Sequence, residues 1–289
     1  MIYAMSDIHG HYHELYQRLD QLGNLETIYN GPDHLLFLGD YIDGGPDSYK
    51  VLDFLFALQQ SCPERIIVLR GNHEEMFLDW LDAYTGPGAG QPDEYGFVPW
   101  SDWLDTDWNY STLRTFLTRE QWEFFQQILP AMTPDGASRT AAQMVMENHR
   151  ALIDWLRKLP YYYETETQIF VHAGVDEEAG ESWRWGTENR YYTEKYPAST
   201  GHFYKDIIAG HIGTAQLAGN PDFHDIYWDG ESHYYIDGTV MQSGSLPVLA
   251  YEEETGRYYS LGPYVRATGI KDYHQVRGEL RPIPAPGQR

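Results

Sequence analysis

An α/β fold, α+β by some schemes, is what the 289-residue sequence predicts. Three observations point there. Short apolar runs alternate with helix-periodic segments as far as residue 84, the βαβαβ pattern of a parallel sheet. Five apolar runs end in Asp, His or Asn where the backbone must turn. Late in the chain, strands follow one another through tight turns, so the second half is richer in antiparallel pairing.

The first strand, residues 2–5, runs into Ser6-Asp7-Ile8-His9-Gly10. Residues 11–22 place Tyr12, Leu15, Tyr16, Leu19 and Leu22 on one helical face. After the turn Asn30-Gly31-Pro32-Asp33, residues 35–38 form a strand that stops at Gly39 and delivers Asp40 and Asp43. Residues 48–60 gather Val51, Leu52, Leu55 and Leu58 on one side of a helix, which Pro63 ends. Residues 66–69 form the third strand, before Asn72 and His73, and residues 74–84 read as the next helix. Residues 85–99 carry Gly86, Gly88 and Gly90 with no periodicity and read as a loop. Helices are expected over 113–129 and 141–159, separated by a turn at Pro134-Asp135-Gly136. This stretch, about 85–155, reads as a helical insertion that either borders the site or is a plain structural subdomain.

Residues 168–171 resume the sheet before His172, and 207–209 precede His211. Between them, 183–204 is a polar, aromatic-rich connection containing Arg184 and Arg190. Residues 234–236, 247–252 and 257–261 are expected strands, the last two joined at Glu254-Thr255-Gly256. One domain is expected over 1–281. The tail, 282–289, with three prolines, is expected to be disordered.

The formal net charge of -23 disfavours nonspecific nucleic-acid binding, because a polyanion gains little by approaching an acidic surface. Cys62 is the one cysteine, so no internal disulfide forms. No apolar run approaches the roughly 20 residues that span a bilayer, and no basic n-region leads the chain; a cytoplasmic protein without membrane attachment is expected. The 24 Tyr and 9 Trp read chiefly as core packing and half-buried surface, with aromatic-lined clefts as the sharper alternative.

Asp7 and His9 are two apart, which in extended backbone aims both the same way. In open α/β sheets, sites form beyond the carboxyl ends of strands, so five polar strand endings can converge. Each Asp or His alone is an ordinary turn former. Folding does not require five strands to end this way. Together they indicate a two-metal centre of oxygen and nitrogen donors suited to Mn²⁺, Fe or Zn²⁺, while the absence of cysteine clusters argues against structural zinc or iron-sulfur.

Ser6-Asp7-Ile8-His9-Gly10, Gly39-Asp40-Tyr41-Ile42-Asp43, Gly71-Asn72-His73-Glu74, His172-Ala173-Gly174 and Gly210-His211 resemble, in order and approximate spacing, the motifs of the phosphoprotein phosphatase family of calcineurin-like metallophosphoesterases. The resemblance is greatest to the bacterial serine/threonine phosphatase and diadenosine tetraphosphatase branch. Ile236-Asp237-Gly238-Thr239 is similar to that branch's Ile-Asp-Thr-Gly element, with two residues exchanged. The likeness covers about 1–80 and 155–262.

It implies a calcineurin-like β-sandwich of mixed sheets flanked by helices. It also implies two divalent metals, Mn²⁺ first with Fe or Zn²⁺ as alternatives. Asp7, His9 and Asp40 would hold one; Asp40, Asn72, His172 and His211 the other. His73 would protonate the leaving group, oriented by Asp43, while a metal-bridging hydroxide attacks phosphorus. The implied substrate is a phosphate monoester, on a phosphoprotein or a small phosphorylated metabolite. A dinucleoside polyphosphate or diester is the alternative, and a noncatalytic phosphate-binding module the third. One departure stands out. Where the family has Arg-Gly after the second Asp, this chain has Gly44-Gly45, losing a bidentate phosphate grip; a large gain in phosphate affinity in Gly44→Arg would show the pocket otherwise intact. Arg184 and Arg190 lie where the family places another phosphate-binding arginine. Arg70 reads as a structural ion-pair partner, and His11, His13 and His224 as surface or loop histidines.

Overall fold

The computed structural model describes residues 1–23, 25–92 and 101–262, and the backbone of 273–275. Two mixed sheets face each other. The first contains β1 (Ile2–Met5), β2 (His34–Phe37) and β3 (Ile66–Val68). The second contains β4 (Tyr162–Glu164), β5 (Gln168–Val171), β6 (Asp206–Ala209), β7 (Tyr227–Trp228) and β8 (His233–Tyr235). The chain then returns to the first with β9 (Leu249–Glu252), β10 (Arg257–Leu261) and β11 (Tyr273–Gln275). Strand order is β11-β10-β9-β1-β2-β3 in one sheet and β4-β5-β6-β8-β7 in the other.

The parallel pairs are β1 with β2, β2 with β3, β5 with β6 and β6 with β8. Their carboxyl ends carry the polar strand endings.

Alternation within the strands makes the layers. Ile2, Ala4, Leu36, Leu38, Ile67 and Leu69 turn inward against Phe170, Ile208, Tyr234 and Ile236 of the second sheet. The alternate residues Tyr3, Met5, Leu35, Phe37, Ile66 and Val68 pack outward under the helices. Both faces of the parallel strands are buried, which is why they read as continuous apolar runs. No helix among the described residues is long and apolar enough to cross a membrane.

The early helices, Tyr12–Gln21 and Ser48–Ser61, lie within a residue of expectation. The next, Asn72–Thr85, begins two residues early, so Asn72 and His73 sit in its first turn. The middle differs more. Residues 113–129 are two helices, Ser111–Phe116 and Arg119–Ile128, parted at an extended Leu117. Thr118 caps the second, its hydroxyl accepting from Gln121 N while its own N–H donates to Gln121 Oε1. Pro134-Asp135-Gly136 is no turn between helices but the first turn of Pro134–Leu156. Thr133 accepts from Gly136 N, and Pro134 takes the first position, where no N–H is needed. That helix kinks at His149. The expected loop is irregular over 86–92; its remainder and the 282–289 tail lie outside the described residues.

Candidate metal centre

Every strand ending named above arrives at one end of the sandwich. Asp7 and His9 follow β1, Asp40 follows β2, and Asn72 and His73 open the helix after β3. His172 follows β5 and His211 follows β6. Close approach at the strand exits demands glycine. A β-carbon on Gly39, whose φ is +109°, would lie 2.6 Å from the Gly71 backbone, and one on Gly210 would lie 2.1 Å from Asp7 Oδ2.

The histidine tautomers follow from their backbone partners. His9 Nδ1 is 3.0 Å from Ile42 O, and His172 Nδ1 is 3.0 Å from Leu38 O. A carbonyl only accepts, so both Nδ1 atoms carry hydrogen and both Nε2 atoms are left for the site. Each Nε2 faces Asp40 Oδ2, from 3.8 Å for His9 and 3.3 Å for His172. His9 Nε2 is also 4.0 Å from Asp7 Oδ1, while Asn72 Oδ1 lies 2.9 Å from His172 Nε2 and 3.1 Å from His211 Nδ1. Lone pairs converging around a buried carboxylate require a cation between them, either protons on the rings or metal. The donor set fits divalent ions. Two groups, His9-Asp40-His73 and Asp40-His172-His211, bring candidate donor atoms within 4.8 Å of one another, and Asp40 belongs to both.

Electrostatics tell the same story from the metal-free side. Burial drives the Asp40 carboxyl upward, but His172, His73 and His9 overcome it and hold the group well below the carboxylate range. Burial, with the Asp40 charge added, raises Asp7 to about 6, and burial with Asp7 nearby raises Asp237 to about 7. Burial opposes charge on His172, yet Asp40 raises it to about 9; burial and the neighbouring His172 lower His211 to about 4.

His73 lies beside this cluster. Its Nδ1 is 2.8 Å from Asp43 Oδ2, and its Nε2 is 3.9 Å from Asp40 Oδ2. Burial disfavours its charge, but Asp40 and Asp43 raise it to about 10.

Two residues here have roles that the sequence reading does not assign. The Glu74 carboxylate, fully buried, accepts from the backbone N–H groups of Asp40, Tyr41, Ile42 and Gly71, tying the β2 exit to the helix that carries His73. Its place three residues after Gly71 was the available signal, a glutamate positioned to reach back to a helix N-terminus. Trp103 donates its indole N–H to Asp43 Oδ2 at 3.1 Å, and nothing local in the sequence announces it.

The two arginines are engaged elsewhere: Arg184 pairs with Glu164, and Arg190 is 2.6 Å from Glu194 on its own helix. Arg70 pairs with Glu75 at 3.0 Å and donates to Leu156 O, tying two helices. His11 faces Glu14, His13 contacts Gln17, and His224 contacts Thr239. Gly44 has φ +88°, and a β-carbon there would lie 2.0 Å from the Met241 sulfur.

Sequence relatives match part of the chain. A Candida albicans PP2A-like serine/threonine-protein phosphatase is 41% identical over 29% of this chain and 21% of its own. A Caenorhabditis elegans protein named as a serine/threonine-protein phosphatase is 40% identical over 25% of this chain and 19% of its own. The chain thus spans about a fifth of the length of these curated relatives. Among solved structures, a cold-active protein tyrosine phosphatase superposes with a TM-score of 0.50 at 17% identity, covering 94% of this chain and 78% of that one, a likeness of fold. With the calcineurin-like phosphoesterase pattern matched over residues 1–242, the chain belongs to the calcineurin-like phosphoesterase family.

Proposed function

We propose that the protein is a metal-dependent phosphomonoesterase acting on a phosphoprotein or a small phosphorylated metabolite. The observation that carries the reading is the aim of His9 and His172, each fixed through Nδ1 to a backbone carbonyl and each directing Nε2 at Asp40 Oδ2. Asp7, His9 and Asp40 would hold one divalent ion, and Asp40, Asn72, His172 and His211 the other. Mixed carboxylate, amide and imidazole donors without thiolate favour Mn²⁺, with Fe or Zn²⁺ as alternatives. When bound, the ions supply Lewis acidity to phosphoryl oxygens and make a water nucleophilic near neutral pH. The residues do the rest. His73, which Asp40 and Asp43 raise to about 10 against its burial in the metal-free protein, would give its Nε2 proton to the leaving oxygen as the ester P–O bond breaks. Asp43 keeps the ring in register by accepting from Nδ1.

The test uses metal-depleted protein, an aryl phosphate and added Mn²⁺. Phosphate release should appear with the metal, and His73→Asn should lose roughly 10²- to 10⁴-fold in turnover while retaining metal. Full turnover in that variant refutes the acid assignment. His172 must shed its proton to ligate, so metal affinity should fall as pH drops below about 9, its metal-free value.

The Gly44–Met241 niche favours a second reading. The half-exposed Met241 thioether beside Gly44 offers apolar surface to a nucleobase, as a dinucleoside polyphosphate would require. Product analysis with diadenosine tetraphosphate against a phosphopeptide separates the two.

A further inference from the structure

The Asp43 oxygen that receives His73 receives a second donor. Trp103 Nε1 lies 3.1 Å from Asp43 Oδ2, and His73 Nδ1 lies 2.8 Å from the same atom. The other oxygen, Oδ1, is buried without a hydrogen-bond partner among the described residues. Trp103 comes from the middle region, 60 residues beyond Asp43, and is 2% exposed.

A helix face seats it. Asn72–Thr85 presents His73, Phe77 and Trp80 at i, i+4 and i+7, and the Trp103 ring packs 4.9 Å from Phe77 and 4.8 Å from Trp80. The helix that delivers the imidazole therefore also fixes where the indole stands. The neighbouring indole differs: Trp80 Nε1 is buried with no partner among the described residues.

We propose that Trp103 is a positioning residue for the proton donor, its indole N–H locking the Asp43 carboxylate so that Asp43 holds His73 with Nε2 turned toward the leaving group. The role rests on the hydrolase reading above. An indole N–H donates only and does not ionise, so it fixes the carboxylate without competing for the imidazole proton or adding charge. A bond to an ionised acceptor is among the stronger kinds. Without it, the carboxylate keeps no side-chain anchor among the described residues but His73 itself. It can then turn about its last torsion and carry the ring out of line.

The experiment compares Trp103→Phe, which keeps an aromatic ring in the cluster, with Trp80→Phe, which perturbs the same packing but leaves the Asp43 bond intact. Both are assayed, Mn²⁺-loaded, on phosphate esters of rising leaving-group pKa. Proton donation matters most for poor leaving groups. Trp103→Phe should lose about tenfold in kcat on an alkyl phosphate, far less on p-nitrophenyl phosphate, with KM unchanged. Trp80→Phe should not alter the leaving-group dependence. A second readout needs no turnover: in metal-free protein the Trp103 indole N–H resonance should move upfield in Asp43→Asn. A Trp103→Phe loss that is uniform across leaving groups and matched by Trp80→Phe, or a resonance that does not move, overturns the role. Wild-type protein inactive on every ester overturns the hydrolase reading itself, whereas active wild type with unaltered leaving-group dependence in Trp103→Phe overturns only the part played by the indole.

Discussion

Single side chains at this site stand on backbone that side chains rarely adopt. Asp7, His9, Asp40, Asp43 and His211 have φ between 47° and 68°. Left-handed backbone costs an L-residue roughly 1–2 kcal/mol, and it persists where surrounding bonds over-determine it. Here Asp7 N donates to Gly39 O, His9 N to Asp40 O and Gly10 N to Tyr41 O, lacing two strand exits together. In the proposed metal centre, function is set against stability at Asp7. Burial and the Asp40 charge raise its folded pKa to about 6, above the ordinary carboxyl value, so ionising it costs stability. The cost is absent in strong acid, grows as the unfolded chain ionises, and is complete above about pH 6. Metal-free Asp7→Asn is therefore expected to be more stable than wild type near neutral pH, by roughly 1–3 kcal/mol, with the gain vanishing in acid and metal affinity falling. Urea titration at both pH values checks it; an equal gain at both would refute the electrostatic cause. The Gly44 niche carries its own expectation. Gly44→Arg alone must accept positive φ and displace the Met241 sulfur, so it should lose roughly 1–2 kcal/mol of stability and gain no phosphate affinity. Combined with Met241→Ala, the guanidinium has room, and inhibition by inorganic phosphate should tighten.

Elements meet at the site through a few anchors, and Glu74 is the clearest. One carboxylate satisfies four backbone N–H groups from the β2 exit and the start of the Asn72–Thr85 helix. Glu74→Ala leaves those donors buried and is expected to cost roughly 3–5 kcal/mol, seen as a lower urea midpoint, with His73 displaced and turnover lost. A variant as stable as wild type would show that water takes over the bonds. This level also separates what the residues disclose from what they hide. Strand endings were legible because an apolar run buried on both faces must stop abruptly where polar atoms begin, as at Gly39-Asp40. The break at Leu117 was hidden because Leu113, Phe116 and Leu117 keep an apolar face running into it, although Thr118-x-x-Gln121 spells a cap. Pro134-Asp135-Gly136 has turn composition yet serves as a helix start, since proline at the first helical position is as natural as in a turn. β4 and β7 are too short to show alternation. Trp103 was out of reach because its partner is fixed by tertiary packing alone.

The whole molecule has a charge device away from the metal centre. His233, 1% exposed, lies 2.9 Å from Asp229 and 3.0 Å from Glu177, which also receives Lys195. Burial opposes its charge, but the two carboxylates raise it to about 9. A histidine raised on folding contributes stability that is complete below its unfolded value, about 6.5, and is lost as pH climbs through about 9. The contribution is on the order of 3 kcal/mol. The difference in urea midpoint between wild type and His233→Gln should therefore shrink between about pH 6 and about pH 9.5; a constant gap would refute it. Bound cations should stabilise the fold as well, by about 2.7 kcal/mol at a hundredfold excess over Kd, so chelation should lower Tm and abolish turnover together. The donors belong to both layers of the sandwich, with Asp7, His9, Asp40 and Asn72 from the first sheet's exits and His172 and His211 from the second's. An ion at that seam would work as a clasp: Asp40 and His172 are buried, while Asn72 and His211 leave one side partly open to solvent. A chelator can enter from that open side, so stripping should quicken as its concentration rises, each lost ion loosening one layer from the other.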